Sequence, residues 1–271
     1  MLERPALAQN SIARGGWLAA ALAGFAAGLA GGLFGVGGGI VLVPILTAFF
    51  ALSQHQAHGT SLGALAATAV SGVVVYGLAG HVAWLTAALM AVTSVFTARL
   101  GARLAARTSL RQLTLAFAAL LVIVAARMLW HAPAASIHRP LTGWPGHLVS
   151  LVIGAAVGLM AGFLGVGGGL IAVPALTLLF GMSQHTAQGT SLALILVTAP
   201  FGAMEHARQG NLVRDLLPGL VVGALVGSPL SSLLAQRLPQ STLARGFAIF
   251  LLINALRMTW SALRPPAKAR A

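Results

Sequence analysis

Residues Gly28–Leu62 read GLAGGLFGVGGGIVLVPILTAFFALSQHQAHGTSL, and residues Gly158–Leu192 read GLMAGFLGVGGGLIAVPALTLLFGMSQHTAQGTSL. Of these 35 positions 21 are identical, at an offset of 130 residues that continues without a gap, so that Arg107 falls on Arg237, Phe117 on Phe247 and Arg127 on Arg257. Self-similarity at one fixed long offset marks an internal duplication. Both copies set a glycine cluster and a polar Ser-Gln-His…Gly-Thr-Ser string inside apolar sequence. Duplicating so costly a combination predicts one site built from two halves.

The surroundings of that stretch are lipid-like. The chain of 271 residues is 58% hydrophobic and 7% charged, with a mean hydropathy of +0.92. Soluble domains carry roughly 25% charged residues. No Asp, Glu, Lys or Arg lies between Arg14 and Arg99, or between Arg139 and Glu205. A membrane span takes about 20 apolar residues, so the chain reads as an all-α polytopic membrane protein, multi-pass in a cell membrane. The net charge of +13 comes from 16 Lys and Arg against Glu3, Glu205 and Asp215. These bases sit mostly in short connections and at the termini, where the positive-inside bias and anionic headgroups account for them, and nucleic acid is excluded as a partner. The excess positive potential also suits an anionic substrate. No cysteine is present, so thiol chemistry is excluded. The run from Trp17 resembles a signal peptide, but its counterpart at Leu148–Leu164 is mid-chain, so both read as retained helices.

Five apolar segments per repeat are expected: Trp17–Phe34, Ile40–Leu52, Thr60–Leu78, Trp84–Leu104 and Leu113–Trp130, then Leu148–Leu164, Leu170–Met182, Thr190–Met204, Leu216–Ala235 and Leu243–Trp260. The organisation that follows is an N-terminal segment 1–16, repeat 1 over 17–130, a linker 131–147, repeat 2 over 148–261 and a basic tail 262–271. The second segment of each repeat, 13 residues, is roughly 20 Å as a helix, against a hydrocarbon core of about 30 Å. Either it continues the first as one broken span, giving four spans per repeat and parallel repeats, or the two form a re-entrant hairpin turning at GVGGG, giving three full spans and inverted repeats. Hydropathy shows about eight peaks in either case. Inverting the repeats places 11 Lys and Arg on one face and 3 on the other; the parallel arrangement splits them 8 to 6. The positive-inside rule therefore favours inverted repeats with both termini cytoplasmic.

The candidate chemistry lies in the duplicated stretch. Gly35, Gly37, Gly38 and Gly39, with Gly165, Gly167, Gly168 and Gly169, precede short helices whose first N–H groups are unpaired and point back toward the glycines. That is an anion cradle; the alternative is close helix packing, which suffices for Gly24, Gly28, Gly31 and Gly32. Pro44 and Pro174 predict a kink. Thr60, Ser61, Thr190 and Ser191 are expected either to cap the third helix of each repeat or to bind oxyanion oxygens. His55 and His185 are candidate proton carriers, or else bond a backbone carbonyl at the turn. His58 is matched by Gln188, so proton chemistry there is asymmetric. Glu205, beside His206, is an intramembrane acid or an interfacial partner of Arg208. Arg127 and Arg257 snorkel to headgroups. No catalytic constellation, metal cage or cofactor motif is present, which argues against an enzyme.

The doubled G-x-x-x-G-x-x-G-x-G-G-G-x-x-x-V-P-x-L stretch, with Gly-Thr-Ser about 13 residues beyond its leucine, resembles the TauE/SafE sulfite exporter family from about Trp17 to Trp260. The resemblance implies a bacterial inner-membrane permease, a secondary transporter and exporter of small anions such as sulfite, sulfoacetate or other organosulfonates. Membrane lipids and the small anion are its expected partners. A passive channel for anions or small solutes, built on the same glycine turns, is the alternative.

Overall fold

The computed structural model describes residues 15–105, 110–130, 143–164 and 167–263. Among the described residues there are ten α-helices and no strand: α1 Gly15–Phe34, α2 Gly39–Ala48, α3 Gln54–Leu78, α4 Trp84–Ala105, α5 Leu110–Trp130, α6 Gly143–Leu164, α7 Gly169–Leu178, α8 Gln184–Arg208, α9 Leu217–Arg237 and α10 Gln240–Leu263, with a 3₁₀ turn at Arg214–Leu216 before α9. Seven are long and apolar enough to cross a membrane; α5 counts as a shorter apolar helix over Phe117–Trp130, as do α2 and α7. The chain is a multi-pass membrane protein. The N-terminal segment, most of the linker and the basic tail lie outside the described residues.

The short helices fold back. A side chain on Gly38, at the entry to α2, would meet the Ala27 carbonyl, and one on Gly31 would meet Gly37 and Gly38. Leu42, Val43 and Leu46 of α2 share one apolar cluster with Ala20, Ala23 and Ala27 of α1. Thus the chain turns sharply between α1 and α2. Its turn demands glycine: Gly35, Gly37 and Gly38 have φ of 69°, 76° and 85°, as Gly167 and Gly168 have 87° and 67° in the second copy, a region that side chains with a Cβ avoid.

The third helices are longer than the sequence pattern suggests. Thr60–Leu78 and Thr190–Met204 were the expected bounds, but α3 starts at Gln54 and α8 at Gln184. Ser53 is the cap, accepting from the Gln56 N–H while the Gln56 side chain accepts from the Ser53 N–H; Ser183 caps α8 through Thr186 N–H. Thr60 and Thr190 therefore sit inside their helices and cap nothing. A Ser-Gln-His…Gly-Thr-Ser string reads as a loop because those residues favour turns in water, whereas here a capping box commits it to helix.

Close packing is exchanged between the halves. Gly24, Gly28 and Gly32 of α1 bring α9 into backbone contact at Leu220, Ala224 and Ser228, so these two helices run parallel. At the equivalent places Gly154 and Gly158 of α6 meet Met90 and Ser94 of α4. At the centre α3 and α8 cross antiparallel: Gly202 lies against Leu62, and Gly72 against Leu192.

Candidate functional site

The two glycine turns converge where α3 and α8 cross. A side chain on Gly169 would meet the Val36 backbone and the Gly35 carbonyl, one on Gly37 would meet Leu65 and Ile195, and one on Gly167 would meet Leu65. Gly35, Val36, Gly37, Gly38 and Gly39 are all buried, as are Gly167, Gly168 and Gly169. Each turn is the N-terminus of a ten-residue helix, and the ladder starts only when Val41 and Ile171 donate to the Gly38 and Gly168 carbonyls. Residues 39–40 thus carry helix-terminal N–H groups at the positive end of α2. In the second turn the Gly169 N–H is turned back onto the Gly167 carbonyl at 2.8 Å, which removes one donor from that cradle. Gly165 lies outside the described residues.

The hydroxyls divide into two roles. Ser191 Oγ donates to the Gly35 carbonyl at 2.7 Å, tying α8 to the opposite turn. Ser61, its counterpart, is fully buried, and its Oγ has no hydrogen-bond partner among the described residues. Thr60 Oγ1 accepts from the Val213 N–H at 3.0 Å and Thr190 Oγ1 from the Ala83 N–H at 2.9 Å, positions themselves 130 apart. The threonines clamp the connections before α9 and α4.

Three serines of α9 escape a reading centred on the repeat, because their counterparts are Ala98, Gly101 and Ala102. Ser228 Oγ donates to the Thr68 carbonyl and Ser231 Oγ to that of Gly28, while buried Ser232 Oγ has no partner among the described residues. Hydroxyls on an otherwise apolar helix were the available signal. An open cavity of about 470 Å³ lies along the seam of α1 and α9 between Leu29, Leu33, Leu230, Ser231 and Leu234.

Of the ionisable residues, Glu205 meets Arg103 Nε at 3.0 Å as well as Arg208 at 3.7 Å. The ion pair with Arg208 is present, and α4 supplies the closer partner. Arg127 and Arg257 are exposed. His185 Nε2 meets the Ala235 carbonyl at 3.0 Å, and its ring stacks on His81 with centroids 5.3 Å apart. His55 is half-buried near the start of α3.

Residues 19–258 match the sulfite exporter TauE/SafE family. The chain belongs to the TauE/SafE family. It is 30% identical over 232 residues, 83% of this chain and 87% of the relative, to a "Probable membrane transporter protein" of Xylella fastidiosa (strain 9a5c). It is 24% identical over 250 residues, 84% and 92% of the two chains, to the "Probable membrane transporter protein YunE" of Bacillus subtilis (strain 168). No solved structure matches it. This member of the TauE/SafE family is a membrane transporter.

Proposed function

We propose that this TauE/SafE protein is a secondary exporter of small anions such as sulfite, sulfoacetate or other organosulfonates in a bacterial inner membrane. The observation that carries the reading is the meeting of the two glycine turns, Gly169 against Gly35 and Val36, with Ser191 bonded to the Gly35 carbonyl. The anion sits between Gly35, Gly37, Gly38 and Gly39 on one side and Gly167, Gly168 and Gly169 on the other. Helix-terminal N–H groups and the Ser61 and Ser191 hydroxyls receive it, and Thr60 and Thr190 hold the walls. Small oxyanions suit such a cradle because backbone N–H groups bind them without a buried fixed cation.

The halves are inverted repeats with re-entrant hairpins. Their equivalent helices α3 and α8 run antiparallel, which supports a two-fold axis in the membrane plane. Alternating access then rocks one half against the other around the turns. The test is sulfite counterflow into proteoliposomes, which separates an exchanger from a channel. Wild-type protein is expected to show counterflow, and Ser61→Ala with Ser191→Ala to raise the half-saturating concentration about tenfold, the loss of roughly 1.4 kcal/mol of hydrogen bonding. Saturable exchange unchanged in the double variant would remove the anion from this site.

A further inference from the structure

One polar pair is built from different residues in the two halves. Tyr76 meets Gln188 in one, and His206 and His58 hold the same two places, 130 residues away, in the other. The Tyr76 hydroxyl lies 3.0 Å from the Gly32 carbonyl and 2.9 Å from the Gln188 side-chain oxygen. Turning that amide lets the hydroxyl accept from Gln188 and donate to Gly32, so this half pairs neutral groups, with one polar atom of the Gln188 amide left without a partner among the described residues.

The histidine half stays open. His206 Nε2 lies 3.2 Å from the Gly162 carbonyl. A carbonyl only accepts, so Nε2 carries the hydrogen and Nδ1 keeps its lone pair. That Nδ1 and the Nδ1 of His58 are both buried and have no hydrogen-bond partner among the described residues. His206 is fully buried, and its Cβ lies 2.8 Å from where a side chain on Gly59, the neighbour of His58, would begin. Two buried ring nitrogens on helices that pack against each other thus lack a partner among the described residues, and no group of three His, Cys, Asp or Glu among the described residues is placed to hold a metal.

We propose that His58 and His206 form a proton-binding site in one half of the molecule only, fed from half-buried His55 three residues earlier on α3, and that this proton crosses with the anion. The coupling rests on the transport reading above. The charged and titratable groups facing the pair are His55 on α3 and Glu205 on α8, with Glu205 held by Arg103 of α4 and Arg208, and the connection packed on α3 through Asn211 and Val213 carries Arg214 beside Asp215. Helix α2 carries no ionisable residue, the His147 of α6 lies toward the far end from Gly162, and the Arg237 of α9 lies at its C-terminus. Glu205 is already neutralised by two guanidiniums, so the counter-charge for a buried imidazolium is the transported anion. Ser61, one turn beyond His58, places that anion within the same wall.

The test pairs transport with a readout that needs no substrate. In proteoliposomes holding the full chain, sulfite accumulation is measured with and without a pH gradient. One proton per monoanion predicts about a tenfold accumulation ratio per pH unit, falling to one in His58→Gln with His206→Tyr. That variant copies the packing already present at Gln188 and Tyr76; His58→Asn alone serves should the double variant misfold. In parallel, ¹⁵N-histidine spectra of the purified protein are followed between pH 8 and pH 5. Two ring signals absent from the double variant are expected to shift together as the pair takes up one proton in that range. A gradient response unchanged in the variants, or rings that stay neutral throughout, would overturn the proton site. If the wild type moves no sulfite under any gradient, the substrate reading fails, and the ring titration still decides the proton site.

Discussion

A threonine in a bilayer-buried helix is easily mistaken for a helix cap, and Thr60 and Thr190 show what such residues do instead. Each hydroxyl accepts a backbone N–H from a connection in the other half, Val213 for Thr60 and Ala83 for Thr190. Glycine at the preceding position permits this approach: side chains on Gly59 and Gly189 would strike the carbonyls of Asn211 and His81. Replacing either threonine by valine keeps the shape and removes the acceptor, leaving a buried N–H unsatisfied at a cost of about 1–3 kcal/mol. Thermal unfolding in detergent is therefore expected to show a lower midpoint for Thr60→Val and for Thr190→Val. The two sites share no partner, so their losses should add in the double variant. A double variant no less stable than either single one would show that the two clamps open together.

At the scale of the elements, the breaks at the glycines were legible and the partners were not. A 13-residue apolar segment after five residues rich in glycine is too short to span, so a break before α2 and before α7 was expected from length, and the positive φ of Gly37, Gly38, Gly167 and Gly168 makes it. The earlier start of α3 was hidden because Ser53–Ser61 carries turn-forming residues; the Ser53 capping box starts the helix and burial of residues 57–61 holds it. Which helix packs on α1 was equally hidden, since Gly24, Gly28 and Gly32 announce a close approach but name no partner. The glycines of one turn differ in what they tolerate. A Cβ on Gly38 would stand 2.1 Å from the Ala27 carbonyl oxygen, whereas one on Gly37 would stand 3.2 Å from the Leu65 side chain and 3.3 Å from that of Ile195. Both have positive φ, so alanine costs about 1–2 kcal/mol at either. Only Gly38→Ala must also push the hairpin arms apart. Expressed as fluorescent fusions, Gly37→Ala is expected to elute as a monodisperse peak with a lowered melting midpoint, and Gly38→Ala to aggregate. Equal behaviour of the two would mean that backbone strain alone governs the turn.

For the whole molecule, the arrangement of α3 and α8 bears on how the chain sits in the bilayer. These helices occupy equivalent positions in the two sequence copies, yet Leu62 pairs with Gly202 and Leu192 with Gly72. Two equivalent spans that cross antiparallel enter the membrane from opposite faces. Four spans per half would bring them in from the same face, whereas the hairpin plus three spans proposed above reverses the second half. On that proposal the distribution of Lys and Arg sets the expected orientation, because 11 of the bases fall on one face in this arrangement and 3 on the other, and the richer face is expected in the cytoplasm. A fluorescent reporter fused after Arg270 is accordingly expected to fold in the cytoplasm and glow. An alkaline phosphatase fused after His138 is expected to be exported and active. Reporters on the same side would require an even number of crossings between them, and so would demand that one hairpin open into a full span. The antiparallel contact of Gly72 with Leu192 would then have to be lost, which a cysteine pair introduced at those two positions of this cysteine-free chain would reveal by failing to cross-link.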